Sequence, residues 1–114
     1  MGSGYGPDEI DSAIKQLGLD STLPEDIFVT TAQRLAEGKI VGWFQGKAEF
    51  GPRALGNRSI LTRPFPAEMK DYLNSRVKFR ESFRPFAPAV LYDHLESYFD
   101  INQESPHMLI ACQA

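Results

Sequence analysis

The stretch "EFGPRALGNRSIL", Glu49 to Leu61, combines Gly51, Pro52, Gly56 and Asn57 with two arginines, Arg53 and Arg58. Glycine admits positive φ and close approach of the backbone to a ligand. Arginine grips a phosphate or carboxylate with two parallel N–H bonds, which lysine cannot do. Ser59 adds a hydroxyl donor. Together these residue types suit an oxyanion. Gly51 and Gly56 have the glycine spacing of a P-loop, but that motif needs Lys followed by Ser or Thr directly after the second glycine. Here Asn57, Arg58 and Ser59 follow, and Pro52 removes one N–H from any backbone cradle. The P-loop reading fails and a looser anion-binding reading survives. The alternative is that the glycines serve turns and the arginines are solvated or paired with Glu49 and Glu81. Glu49 has two open roles, orienting an arginine or acting as a base.

A second basic cluster lies in "RVKFRESFRP". In an extended segment Arg76, Lys78, Arg80 and Arg84 would largely share one face. The competing role is an exposed basic edge strand that discourages aggregation. The chain has 114 residues and a net charge of −3, yet nine of its twelve basic residues fall between Gln45 and Arg84, with only Glu49, Glu68, Asp71 and Glu81 among them. A basic middle in an acidic chain points to a local anionic ligand and argues against a generic nucleic-acid binder. The two clusters predict one anion site shared between the loop and the later segment. Cys112 in "LIAC" reads as a small buried apolar residue, His94 and His107 as surface positions, and Trp43 and Phe44 as core, with Phe44 also placed to border an adenine pocket. Two scattered histidines and one cysteine make no metal site of recognisable spacing.

Elements must position these groups. "GPDEIDSAIKQLG" puts Ile10, Ala13, Ile14 and Leu17 on one helix face, with Pro7, Asp8 and Glu9 at its start and Gly18 at its end. "LPEDIFVTTAQRLAEG" repeats the design with Phe28, Ala32, Leu35 and Ala36, ending at Gly38. "KIVGWFQG" reads as a short buried strand leading into the loop. "PAEMKDYLNSRV" is helical, with Met69, Leu73 and one of Tyr72 or Val77 inward. "RPFAPAVLY" suits an edge strand or an extended lead-in, because Pro85 and Pro88 cannot donate to a ladder. "DHLESYF" is a short helix and "HMLIACQA" a final apolar strand. The alternation predicts an α/β domain, with α+β open, and does not fix whether its sheet is parallel or mixed. No apolar run reaches the roughly 20 residues of a membrane helix. The amino terminus has no signal-peptide pattern, and the lone cysteine fits a reducing cytoplasm.

"GKIVGWFQGKAEFGPRALGNRSIL" and "MKDYLNSRVKFRESFRPFAPAVL", with "GYGPDEIDSAI" upstream, closely resemble the C-terminal domain of the NodU/CmcH carbamoyltransferase family. The resemblance covers nearly the whole chain. It implies a YrdC-like α/β fold, a twisted sheet with flanking helices, of which residues 1–114 form a part truncated at its C-terminal end. It also implies formation of carbamoyl-adenylate from carbamoyl phosphate and ATP. The carbamoyl group would then pass to a hydroxyl of a sugar, antibiotic or Nod-factor-like acceptor. An N-terminal ASKHA-type domain, absent from this chain, would make that transfer and hold the family's metal, so no metal is expected in these residues and the 114 residues alone are expected to be inactive. "LAEGKIVGWFQG" and "VKFRESFRPFAPAVL" are also similar to the strand and Lys-x-Arg segment of YrdC proteins. Position by position, the resemblance assigns Arg53, Lys78 and Arg84 as catalytic ligand-binding residues. Arg58, Ser59 and Arg80 follow as substrate contacts, with Glu49, Gly51 and Gly56 in support.

Three rival readings remain. The first is a noncatalytic phosphate- or nucleotide-binding module, and the third a purely structural domain. The second is an RNA-binding YrdC-like domain, opposed by the negative net charge and by the lack of an aromatic strand interleaved with basic residues.

Overall fold

The computed structural model describes residues 2–114. The chain forms two compact units, one ending at Arg63 and one running from Pro64 to Ala114.

The first unit opens with helix α1, Pro7–Leu17. Pro7 occupies the first helical position, where its missing N–H costs nothing. The Glu9 carboxylate reaches back to accept the Gly6 N–H at 2.8 Å. Gly18 closes the helix at φ 64°, and the Leu19 N–H donates to the Ile14 carbonyl at 3.1 Å. Helix α2, Ile27–Ala36, begins at Asp26, whose Oδ1 accepts from the N–H groups of Phe28 (2.8 Å) and Val29 (3.0 Å). Those two amides would otherwise have no partner. After α2 the chain turns at Gly38, φ 81°, where a Cβ would also lie 3.2 Å from the Arg63 guanidinium carbon. The Arg63 guanidinium donates from Nη1 to the Ala36 carbonyl at 3.3 Å.

Strands β1, Val41–Phe44, and β2, Arg58–Leu61, pair antiparallel with Val41 opposite Leu61 and Phe44 opposite Arg58. Helices and sheet within one chain give the mixed α/β class, and the ladder makes the sheet antiparallel, a point the sequence pattern left open. Alternation along the strands puts half-buried Val41, Trp43, Ser59 and Leu61 on one face and exposed Gly42, Phe44, Arg58 and Ile60 on the other. Phe44 is therefore not core. Phe28 packs its ring on Trp43 at a centroid distance of 6.0 Å but stays 69% exposed. Of the predicted α2 stripe only Leu35 is half-buried, alongside Thr30 and Thr31, while Ala32 and Ala36 are exposed. The two-stranded hairpin is too narrow to cover a whole helix face.

The second unit carries α3, Met69–Leu73, which runs on into a π-helical turn, Asn74–Lys78. Leu73 (2% exposed) and Asn74 (1%) are the only buried side chains among the described residues. Met69 and Val77 are half-buried as the periodicity predicts, and Tyr72 is exposed. A 3₁₀ turn, Tyr92–His94, leads into the short α4, Leu95–Tyr98. "RPFAPAVLY" forms no strand, in keeping with the extended lead-in. "HMLIACQA" is not a strand either. Its backbone makes one long-range bond, Asp100 N–H to the Gln113 carbonyl at 3.0 Å, and Leu109 and Cys112 are exposed. An apolar run becomes a strand only beside a partner edge, and within this unit it finds none.

Asp26→Ala is expected to lower stability by about 0.5–2 kcal/mol through loss of the α2 cap. A thermal melt followed by far-ultraviolet circular dichroism measures it, and an unchanged melt would show that the cap contributes nothing.

Candidate functional site

The loop from Gln45 to Asn57 joins β1 to β2, and its shape is set by side chains bonding to backbone. Glu49 is central. Its Oε1 accepts from the N–H groups of Leu55 (2.9 Å) and Asn57 (3.1 Å), and its Oε2 from that of Arg58 (3.3 Å). Asn57 Nδ2 donates to the Lys47 carbonyl at 2.9 Å, and Gln45 Nε2 donates to the Gly56 carbonyl at 3.3 Å. Gly51 and Gly56 both take φ 117°, a conformation closed to other residues, with open space where a Cβ would sit. Their glycines meet a conformational need rather than a close approach.

Three of the four amides that an anion cradle at 55–58 would offer, those of Leu55, Asn57 and Arg58, are thus already occupied by the chain's own carboxylate. The Leu55 N–H is the largest influence holding the Glu49 pKa below its ordinary 4.5; partial loss of water opposes it, and the Asn57 and Arg58 N–H groups and the Arg58 guanidinium add to it. An ionised carboxylate with three N–H partners is a loop latch and a poor base. What the loop offers outward is the guanidinium of Arg53, exposed and without a hydrogen bond or ion pair among the described residues. Arg58 is exposed beside Phe44, whereas Ser59 is half-buried on the opposite face of the hairpin with Trp43.

In the second unit the basic cluster is not an extended strand. Residues 74–78 are wound into the π-helical turn, so Arg76 and Lys78 do not share a face by alternation, and the chain then turns at Phe79 with φ 49°. Lys78 is exposed and has no bonding partner among the described residues. Arg84 Nε meets Glu81 Oε2 at 2.9 Å, both side chains being more than half exposed. Such a pair contributes no more than about 1 kcal/mol and leaves the remaining guanidinium nitrogens available. Arg80 turns inward onto Asn74, and this asparagine is the residue that sequence reasoning missed. Its signal was a polar residue directly after the inward-facing Leu73 of a predicted helix.

Other features contribute less. A groove of about 690 Å³ lined by residues 96–102 and 113–114 carries the carboxylates Glu96 and Asp100 and no basic side chain, so it does not suit a polyanion. Among the described residues no group of three or more His, Cys, Asp or Glu side chains is placed to hold a metal ion. His94 and His107 are exposed. No helix of the described residues is long and apolar enough to cross a membrane.

The profile of the family described as Carbamoyltransferase C-terminus matches residues 32–114. The chain belongs to the carbamoyltransferase C-terminal family. Both latched segments of this family member, 45–58 and 74–85, fall inside the matched span. An uncharacterized protein of Synechocystis sp. is 48% identical over 114 residues, covering 96% of this chain and 18% of the relative. Nodulation protein NolO of Bradyrhizobium diazoefficiens is 52% identical over 83 residues, 73% of this chain and 15% of the relative. A 3'-hydroxymethylcephem-O-carbamoyltransferase of Streptomyces clavuligerus is 49% identical over 75 residues, 66% of this chain and 14% of that enzyme. This carbamoyltransferase C-terminal chain therefore spans less than a fifth of the length of these relatives.

Because the folded pKa of Glu49 is depressed, its latch contributes stability above its ordinary value of 4.5 and loses it as pH falls through the folded value. Hydrogen-exchange protection factors at Leu55, Asn57 and Arg58 are expected to fall in that acidic range and to be low at every pH in Glu49→Gln. Protection in the parent that ignores pH there would show that the carboxylate does not hold the loop.

Proposed function

We propose that this chain is the donor-activating part of an O-carbamoyltransferase that works in the cytoplasm as a longer polypeptide. It binds carbamoyl phosphate and ATP and forms carbamoyl-adenylate. Atom balance requires one water: hydrolysis of carbamoyl phosphate releases phosphate and leaves carbamate. The carbamate oxygen then attacks the α-phosphorus of ATP and pyrophosphate leaves. An acceptor hydroxyl of a sugar, antibiotic or Nod-factor-like molecule next attacks the carbamoyl carbon and AMP departs. The acceptor and the family's metal belong to an ASKHA-type domain elsewhere in the polypeptide, so the 114 residues alone transfer nothing. Exposed apolar side chains such as Leu23 (99%) support the longer polypeptide, since further chain could bury them.

The observation that carries this reading is that Arg53 and Lys78, both inside the span matched by the family, are exposed cations with no bonding partner among the described residues. Carbamoyl phosphate and ATP are polyanions, and adenylation spreads further negative charge over the transferring phosphoryl group. Fixed cations stabilise that charge without reorganising at the moment of reaction. Arg53 in the first unit and Lys78 in the second are each assigned to an anionic group, and Arg84 acts beside Lys78 within its own unit through the nitrogens that Glu81 leaves available. Arg58 and Ser59, on opposite faces of the hairpin, serve separate contacts. Gly51 and Gly56 act through the latched loop.

In the complete polypeptide, Arg53→Ala and Lys78→Ala are each expected to cut turnover by about 10²–10³-fold, the cost of about 2.7–4 kcal/mol seen when one such stabilising contact is removed. Carbamoyl transfer measured with saturating ATP tests this, together with calorimetric titration of carbamoyl phosphate, inorganic phosphate and ATP. Near-parent turnover in both variants would remove the assignments, and no binding of any of the three anions would remove the function.

A further inference from the structure

The second unit contains one buried polar side chain, and every hydrogen-bonding group on it is used. Asn74 is 1% exposed. Its Nδ2 donates to the carbonyls of Ser82 (3.3 Å) and Arg84 (3.1 Å), and its Oδ1 accepts from Arg80 Nε at 2.8 Å. Its own carbonyl accepts from the N–H groups of Phe79 and, at 3.0 Å, Arg80. Arg80 is committed in the same direction. Beyond Asn74 it donates from Nη2 to the Pro85 carbonyl at 3.4 Å, and its guanidinium carbon stands 4.6 Å from the centre of the Phe86 ring. These bonds bracket Lys78 on one side and Arg84 on the other. They also hold Phe79 at φ 49°, where an aromatic residue is strained unless its surroundings impose it.

We propose that Asn74 and Arg80 are positioning residues, a clamp that fixes Lys78 and Arg84 for the anionic substrate, and that Arg80 does not touch that substrate itself. The inference rests on the proposed binding of carbamoyl phosphate and changes the place of Arg80 within it. The Nε–Nη2 edge of Arg80, the one suited to a bidentate grip, is spent on Asn74 and Pro85, and one of its faces lies on Phe86. The ends of Lys78 and Arg84 are exposed. A cation preorganised by packed neighbours stabilises an anion more than one that must be ordered on binding. The π-helical turn and the strained Phe79 give the clamp its local expression, since such features persist where the surroundings over-determine the backbone.

The charge-conserving variant separates the two roles. If Arg80 met the substrate chiefly through its charge, Arg80→Lys would retain most of the affinity that Arg80→Gln loses. For a clamp, lysine cannot supply the paired Nε and Nη2 bonds, so both variants are expected to bind carbamoyl phosphate about tenfold or more weakly, the loss attached to a hydrogen bond of a charged group. Asn74→Ala, which changes no charge and sits away from solvent, is expected to lose a similar factor, and Asn74→Ala with Arg80→Gln to lose no more than the worse single change. The experiment is calorimetric titration of the complete polypeptide and these variants with carbamoyl phosphate. Thermal melts identify any variant that does not fold, and Arg80→Lys, at a half-buried position, keeps the comparison open if Asn74→Ala fails to fold. Parent-like binding by Arg80→Lys beside impaired Arg80→Gln overturns the clamp alone, as does parent-like binding by folded Asn74→Ala. A parent that binds no carbamoyl phosphate overturns the functional reading, and the clamp's role falls with it.

Discussion

Backbone N–H and C=O groups outside regular structure must find partners, and in each unit of this chain one polar side chain supplies several of them at once. Glu49 satisfies three amides across the β1–β2 loop, and Asn74 satisfies two carbonyls beyond the α3 turn while accepting from Arg80. Without these latches the loop at 45–57 and the segment at 79–85 would be long irregular stretches with little to define them, because among the described residues the apolar core contributes a single buried side chain, Leu73. Order in the basic segments comes mainly from polar bonding to backbone.

This division sorts the cations more sharply than their number does. Arg63 donates to the Ala36 carbonyl behind Gly38, Arg80 binds Asn74 and Pro85, and Arg84 is partly engaged by Glu81. Lys47, Arg53, Arg58, Lys70, Arg76 and Lys78 are exposed. A cluster that looks uniformly phosphate-seeking in sequence thus separates into groups that build the backbone and groups that remain for a ligand. Glu49 shows the same economy with opposite sign, as an anion held inside the basic loop where it organises the amides and leaves Arg53 outside.

The helices follow local rules closely, while their burial does not. Asp26, Glu9, Gly18 and Gly38 cap α1 and α2 as their residue types predict, since caps act within a turn or two of chain. The apolar stripes are present too, yet Ile10, Leu17 and Phe28 stay exposed, because a stripe needs a surface to lie against and the two-stranded hairpin offers a narrow one. "HMLIACQA" is the clearest case: its apolar content suits a strand, but strand formation depends on a neighbouring edge that sequence cannot report.

By itself the sequence determined the helix positions and caps, the β1 strand, the need for glycine at 51 and 56, and, through "FGPRALGNRSIL" and "VKFRESFRPFAP", the family. All of these depend on residues close together in the chain or on a motif read directly. Only the tertiary structure decided that the hairpin is antiparallel, that Arg58 and Ser59 face opposite ways, that Glu49 binds amides in place of an outside anion, and that Asn74 gathers the basic segment around itself. Each of those outcomes turns on which hydrogen-bonding partners meet across a fold in the backbone. Spacing fixes the distance along the chain between such groups but not the bend that joins them.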